Sequence, residues 1–219
     1  SWDMDTEDVA RYCYCYQYDT RNLFISKKLP GCEPVLLRYD KARRLVFIQD
    51  GNLRSASKWR FMLYDYFGRL TVEGLCADTS LPDVAQTEVC SSLTSSQSLL
   101  GYSPNISLND MEPFSANYYD NYSFISNFAN ASDSLRYKTM TGYGEKYIDY
   151  GDYSARGLQT GTVTCVLGDT TVLVKSFYYD DHDNIIQTHE TNAMGGFEHY
   201  YNELTFTGKP LKVMHVHTT

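Results

Sequence analysis

The chain has 219 residues, 42% hydrophobic and 21% charged, a composition that suits a globular protein and excludes a disordered or collagen-like one. Its net charge of −8 argues against nucleic acid and against an anionic membrane surface, both of which need lysine or arginine stripes. No apolar run approaches the roughly 20 residues of a membrane span, and residues 1–30 lack the apolar core of a signal peptide.

Twenty tyrosines, ten phenylalanines and two tryptophans favour strands, and Leu-, Ala- and Glu-rich helical stretches are nearly absent, so the expected class is β-rich. The six cysteines (13, 15, 32, 76, 90 and 165) form no CxxC pair, and a chain this long needs no staples. On a strand Cys13 and Cys15 would share one face. They could hold a metal with two more ligands, or serve as small apolar residues, and the second reading is preferred.

In chain order the first recurring unit is Tyr18-Asp19-Thr20-Arg21-Asn22-Leu23-Phe24. It returns as Tyr39-Asp40-Lys41-Ala42-Arg43-Arg44-Leu45, as Tyr64-Asp65-Tyr66-Phe67-Gly68-Arg69-Leu70 and as Tyr179-Asp180-Asp181-His182-Asp183-Asn184-Ile185. Tyr119-Asp120-Asn121-Tyr122-Ser123-Phe124-Ile125 is a weaker copy. Apolar or alternating runs flank the clear copies, as in Trp59-Arg60-Phe61-Met62-Leu63 before and Leu70-Thr71-Val72 after, which predicts a β-hairpin at each. The aspartate accepts backbone N–H groups to close an Asx-type turn. The fifth position of the unit requires positive φ, which Asn22, Gly68 and Asp183 tolerate and Arg43 does not, so the second turn is expected to be irregular. The turn tyrosine is expected to lay its ring on the neighbouring hairpin with its hydroxyl in water. Single hairpins are marginal and must stack.

Residues 75–175 interrupt these units with a Ser-, Asn-, Thr- and Tyr-rich stretch. Ser80-Leu81-Pro82-Asp83 predicts a helix start, with Ser80 as N-cap and Val84, Ala85, Val89 and Leu93 on one apolar face. Glycines 142, 144, 151 and 157 among tyrosines 143, 147, 150 and 153 predict a loop with irregular strands. Thr160 to Val166 and Thr170 to Tyr179 form a predicted hairpin, a turn follows at Ala193-Met194-Gly195-Gly196, and His199 to Phe206 with Leu211 to Thr218 make the last hairpin.

The repeated unit resembles the RHS/YD-repeat family of large bacterial surface and toxin-delivery proteins. Tyr64-Asp65-Tyr66-Phe67-Gly68-Arg69-Leu70 fits that family's repeat at every defined position. Two longer stretches add to it: Tyr16 to Gly74, with Leu29-Pro30-Gly31 and Ile48-Gln49-Asp50-Gly51-Asn52, and Tyr178 to His217, with Phe206-Thr207-Gly208-Lys209-Pro210-Leu211. The resemblance implies hairpins that wind into a spiral shell able to enclose a toxic domain. It further implies a secreted or cell-surface location and a partner in the remainder of a larger RHS-repeat polypeptide.

Candidate chemistry is sparse. His215 and His217 share a strand face and, with His189 and His199 from neighbouring hairpins, could build a zinc site or be ordinary strand histidines, the reading preferred. Asp180-Asp181-His182-Asp183 lacks the glycine and glutamate of a calcium loop and reads as a turn. Asp149 and Asp152 could pair as glycosidase-like carboxylates, but nothing defines a cleft between them. There is no nucleophile elbow, zinc-protease helix, phosphate loop or dinucleotide fingerprint. The asparagines at 105, 121 and 130 are glycosylation sequons by letter. Tyr143, Tyr147 and Tyr150 are the candidate platform for sugars, against the preferred reading in which tyrosines cover sheet faces.

The expected fold is mainly β: consecutive antiparallel hairpins in a curled sheet, with one short helix in an insert. The expected organisation is repeat hairpins over 1–74, the insert over 75–170 and further repeat hairpins over 171–219. The repeat-turn residues are Tyr18, Asp19, Tyr39, Asp40, Tyr64, Asp65, Gly68, Tyr179 and Asp180. The expected role is a non-enzymatic structural or interaction module without cofactor, the alternative a carbohydrate-binding surface recognising cell-surface glycans. An exposed sheet edge would favour an edge-strand homodimer.

Overall fold

The computed structural model describes residues 6–79, 81–94, 98–128, 132–147, 155–166 and 168–219. It divides into two compact units, residues 1–92 with 103–113 and residues 93–102 with 114–219. In the first unit β1 (Cys15–Tyr18), β2 (Phe24–Lys28), β3 (Val35–Tyr39), β4 (Leu45–Gln49), β5 (Lys58–Tyr64) and β6 (Leu70–Ala77) pair antiparallel in chain order. The short strands β7 (Ser91–Leu93) and β8 (Tyr102–Pro104) pair with each other. In the second unit β9 (Glu112–Asp120, from Phe114 onward), β10 (Ala155–Cys165), β11 (Val172–Tyr179), β12 (Ile185–Thr191), β13 (Phe197–Leu204) and β14 (Pro210–Thr218) again follow chain order. The fold is therefore mainly β and built from consecutive antiparallel hairpins, as the sequence predicts. No helix among the described residues is long and apolar enough to cross a membrane. All six cysteines are unbridged.

Period-two burial explains the strands. On β5, Trp59, Phe61 and Leu63 are buried and Arg60 between them is exposed. Each such side chain taken from water contributes about 1.5–3 kcal/mol. In the second unit Tyr118, Phe124, Val163, Val174, Tyr178, Ile186 and Tyr201 are buried, with the Tyr118 and Phe124 rings stacked 4.2 Å apart. Gly161 lets β10 pass beneath that stack, because a Cβ there would overlap the Phe124 ring and the Lys175 carbonyl.

Three short helices occur among the described residues: α1 (Glu7–Tyr12), α2 (Gly51–Ser55) and α3 (Ser132–Leu135). Helix α2 was not among the elements read from sequence, although Asp50 is an N-cap whose carboxylate accepts the Leu53 N–H at 2.8 Å. The insert's helix is α3 and not the one expected over residues 80–93. Ser80 lies outside the described residues, and 81–93 form no helix although Val84 and Val89 are buried. That segment's polar groups pair elsewhere: Asp83 accepts the Ala85 N–H at 3.0 Å, and the Thr87 carbonyl accepts the Lys41 N–H at 3.0 Å. The weaker copy at Tyr119-Asp120 is not a hairpin turn either. Residues Ser123–Asn127 form a 3-10 turn that buries Phe124 and Ile125, and the Asn121 side chain accepts the Ser123 N–H at 3.0 Å.

Candidate functional site

Six hairpin turns among the described residues close on one five-residue pattern, led by Asp19, Asp40, Asp65, Asp180, Asn192 and Thr205. In each, the leading N–H donates to the carbonyl four residues on, at 2.8–3.0 Å. The fifth residue's N–H returns to the leading side-chain oxygen: Leu23 and Arg44 at 2.8 Å, Arg69 and Asn184 at 2.9 Å, Gly196 at 2.8 Å and Lys209 at 3.0 Å. The fourth residue takes positive φ: Asn22, Arg43, Gly68, Asp183, Gly195 and Gly208. The Asn192 and Thr205 turns fall where the sequence predicts turns, but they carry no Tyr-Asp letters, so their likeness to the repeated unit was not read from the motif. The signal was the oxygen acceptor three residues before a glycine.

Arg43 overturns one expectation, since it adopts φ 64° and the second turn is regular. A left-handed non-glycine residue costs about 1–2 kcal/mol. Arg43→Gly is therefore expected to raise the urea midpoint by the equivalent of about 1 kcal/mol, and Gly68→Ala to lower it by about as much. A Cβ at Gly68 would meet only Arg44 Nη1 at 3.9 Å, so the second effect reads backbone conformation alone. Unchanged midpoints in both variants would count against this account.

Arginines tie successive turns together. Arg21 donates to the Asp19 carboxylate at 3.0 Å and to the Asp40 carbonyl at 2.8 Å. Arg44 donates to the Asp40 carboxylate at 3.0 and 2.7 Å, to the Val89 carbonyl at 2.9 Å and to the Asp65 carbonyl at 3.4 Å. The Asp40 side chain is fully buried, that of Arg44 is 15% exposed, and the Val89 N–H donates to the same carboxylate at 3.2 Å. The Arg44 guanidinium also lies 5.0 Å over the Tyr64 ring. A cleft of about 300 Å³ opens beside Arg21, Tyr39 and Trp59, with the Arg38 guanidinium 4.8 Å over Trp59.

The turn tyrosines depart from expectation in their hydroxyls. Tyr64 donates to the Leu45 carbonyl at 2.8 Å and Tyr179 to the Gln159 carbonyl at 2.5 Å, each reaching back to the preceding strand rather than to water. Burial raises both phenols above their ordinary pKa. Tyr18, on the first strand, is exposed, and Tyr39 is half-buried.

The histidines do not converge. Register pairs His189 with His199, and it pairs Glu198 with His217 and Tyr200 with His215, so the two sets occupy opposite faces of β13. His189 and His199 are buried with their Nδ1 atoms 2.8 Å apart. Gln187 fixes the protons: its amide N–H donates to the Lys138 carbonyl at 2.8 Å, leaving Oε1 to accept His189 Nε2–H at 3.1 Å. His189 Nδ1 is then the acceptor and His199 Nδ1–H the donor. Desolvation, then the neighbouring His199 and Lys138, push His189 down to about 3, and burial lowers His199 as well. On the opposite face Glu198 meets His215 at 2.7 Å and His217 at 2.6 Å.

Among the other candidates, Asp180, Asp181 and His182 bring ligand atoms within 4.8 Å of one another. The Asp180 oxygens already accept the His182 and Asn184 N–H groups and the Asn184 amide, which makes the cluster the turn itself. Tyr143 is half-buried against Tyr201 with Lys212 Nζ 4.1 Å over its ring, whereas Tyr147 is 47% exposed and makes no ring contact among the described residues. Tyr150, Asp149 and Asp152 lie outside the described residues. Exposed aromatics gather instead at Tyr14, Tyr16 and Tyr18, where Tyr16 and Tyr18 flank Phe24 at 5.7 and 5.9 Å. Their period-two spacing was the available signal. Compared with models of known protein families and with curated proteins, the chain matches none.

Proposed function

We propose that the chain is a non-enzymatic structural module of a larger RHS/YD-repeat polypeptide, secreted or displayed at the cell surface, whose consecutive hairpins form part of a shell wall. The observation that carries this reading is the recurrence of one turn at six hairpins, with the same crossed hydrogen bonds and the same left-handed fourth residue. The turn carboxylates are engaged by backbone N–H and guanidinium groups, a role in holding chain rather than in moving protons. The outer strand β14 has β13 as its one neighbour among the described strands and exposes Leu211 and Val213. An edge of this kind is a template for another strand. In the proposed array the next hairpin fills it, and in the isolated chain a second copy does.

Sedimentation equilibrium of the isolated chain is expected to show a concentration-dependent dimer that Val213→Lys returns to monomer, with β14 amide protection lost in parallel. A monomer at several hundred micromolar would remove the edge-pairing argument. A glycan-recognition surface is the second reading, favoured by the exposed stripe of Tyr14, Tyr16 and Tyr18. Glycan-array binding abolished by Tyr16→Ala would favour it, and loss on Tyr147→Ala would move the surface to the insert.

A further inference from the structure

We infer that Glu198, His215 and His217 form a site for a zinc-class divalent ion that fastens β14 to β13. His215 and His217 stand two apart on one strand and share a face, and Glu198 lies directly across from His217 on the neighbouring strand. The imidazoles engage different oxygens of one carboxylate, His215 Nε2 at 2.7 Å from Oε2 and His217 Nδ1 at 2.6 Å from Oε1. Two supports orient the donors. Asn192 Nδ2 donates to Glu198 Oε1 at 3.0 Å, and the Tyr200 ring stacks on His215 at 4.5 Å and 3°.

Two imidazoles and one carboxylate are the protein ligands that zinc takes when its fourth position stays open to water. Donors held at about 2.0–2.1 Å around a tetrahedral ion lie about 3.4 Å apart. Each histidine–carboxylate contact must therefore open by about 0.7 Å, and the two imidazole nitrogens must close on one another, because the three donors do not yet all lie within 4.8 Å. The His215 and His217 side chains are 48% and 45% exposed, which leaves solvent space for that rearrangement, with His215 sliding along the Tyr200 ring, while Glu198 is set back at 17%. Glu198 and Asn192 also line a cleft of about 410 Å³ beside Thr164 and Lys175, so the carboxylate is reached by solvent from that side. Imidazole favours zinc, copper and nickel over magnesium, which prefers all-oxygen shells. This site depends on β13 and β14 alone and stands whether or not the shell-wall reading holds.

Its test is a zinc chloride titration of the intact chain followed by the imidazole proton resonances, with His215→Asn/His217→Asn as the assignment control. Two imidazoles are expected to shift together and saturate at one equivalent, magnesium to leave them unmoved, and Glu198→Gln to weaken binding about tenfold or more. Zinc taken up only by thiols or at His182, with the two imidazoles unmoved, would overturn the inference. Binding to Glu198→Gln as tight as to the parent would do the same. Thermal unfolding in the presence of a chelator checks that each variant keeps its fold.

Discussion

Asp40→Ala is expected to lower the stability of the first unit by about 3–5 kcal/mol, the cost of leaving one partner of a buried ion pair alone. Three demands fall on that carboxylate together. It accepts the Arg44 N–H within its own turn, neutralises the Arg44 guanidinium and takes the Val89 N–H from the segment laid over the turn. With the carboxylate gone, a guanidinium only 15% exposed keeps neutral carbonyl partners and, as its nearest counter-ion, the 57% exposed Glu88 carboxylate at 3.7 Å. Asp40→Asn retains an acceptor for the backbone and is expected to lose roughly half as much. Urea unfolding followed by Trp59 fluorescence measures both, and an Asp40→Ala loss below about 1 kcal/mol would contradict the buried-pair account. A double-mutant cycle with Arg44→Ala should return a coupling of at least about 1 kcal/mol.

Acid is expected to weaken the second unit through His189. Above pH 6.5 neither the folded nor the unfolded state protonates this imidazole, and stability is flat. Below pH 6.5 the unfolded chain takes up a proton that the folded site refuses, because Nδ1 faces the His199 N–H and the ring is buried. Stability then falls by about 1.4 kcal/mol per pH unit and levels off near the folded value of about 3. The loss across that window is on the order of 5 kcal/mol. Lys138 and His199 reinforce the effect, while Tyr178 and Tyr201 face the ring as neutral aromatics. His189→Gln is expected to be less stable than the parent by about 1–3 kcal/mol at pH 7.5, and the gap should close by about 2 kcal/mol at pH 5. Denaturant midpoints across pH measure this, and parallel curves for parent and variant would exclude His189 as the acid-sensitive group.

The strands and the turns were legible, four of the six turns as copies of one unit, because their determinants are local: alternating apolar residues, an oxygen acceptor, and a residue that tolerates positive φ. What escaped was set by partners distant in sequence. Val84, Ala85 and Val89 have helical spacing, yet the Val89 and Cys90 N–H groups donate to Asp40 and Asn105 and the Thr87 carbonyl accepts from Lys41, so a tertiary contact replaced the helix. Arg43 was misread because its own propensity is poor while the Asp40–Arg44 pair beside it compensates. The four histidines all carry odd numbers, but which face each occupies depends on turn length and on the register slip at β13 and β14, which parity along one strand does not contain. Glu198 became a candidate ligand only through that register. The Tyr14, Tyr16 and Tyr18 stripe, by contrast, was open to the same period-two reading applied to Cys13 and Cys15.

The chain of arginine contacts makes the first three turns unequal members of a row. In a one-dimensional cooperative array each element leans on its nearest neighbours, and melting spreads until it meets a weak coupling. The first turn reaches the second through Arg21, and the second reaches the third through Arg44. The second turn thus supplies both couplings, receiving one through its carbonyl and sending the other through its side chain. Damage at the first turn frays an end. Damage at Asp40 divides the row into segments that melt separately.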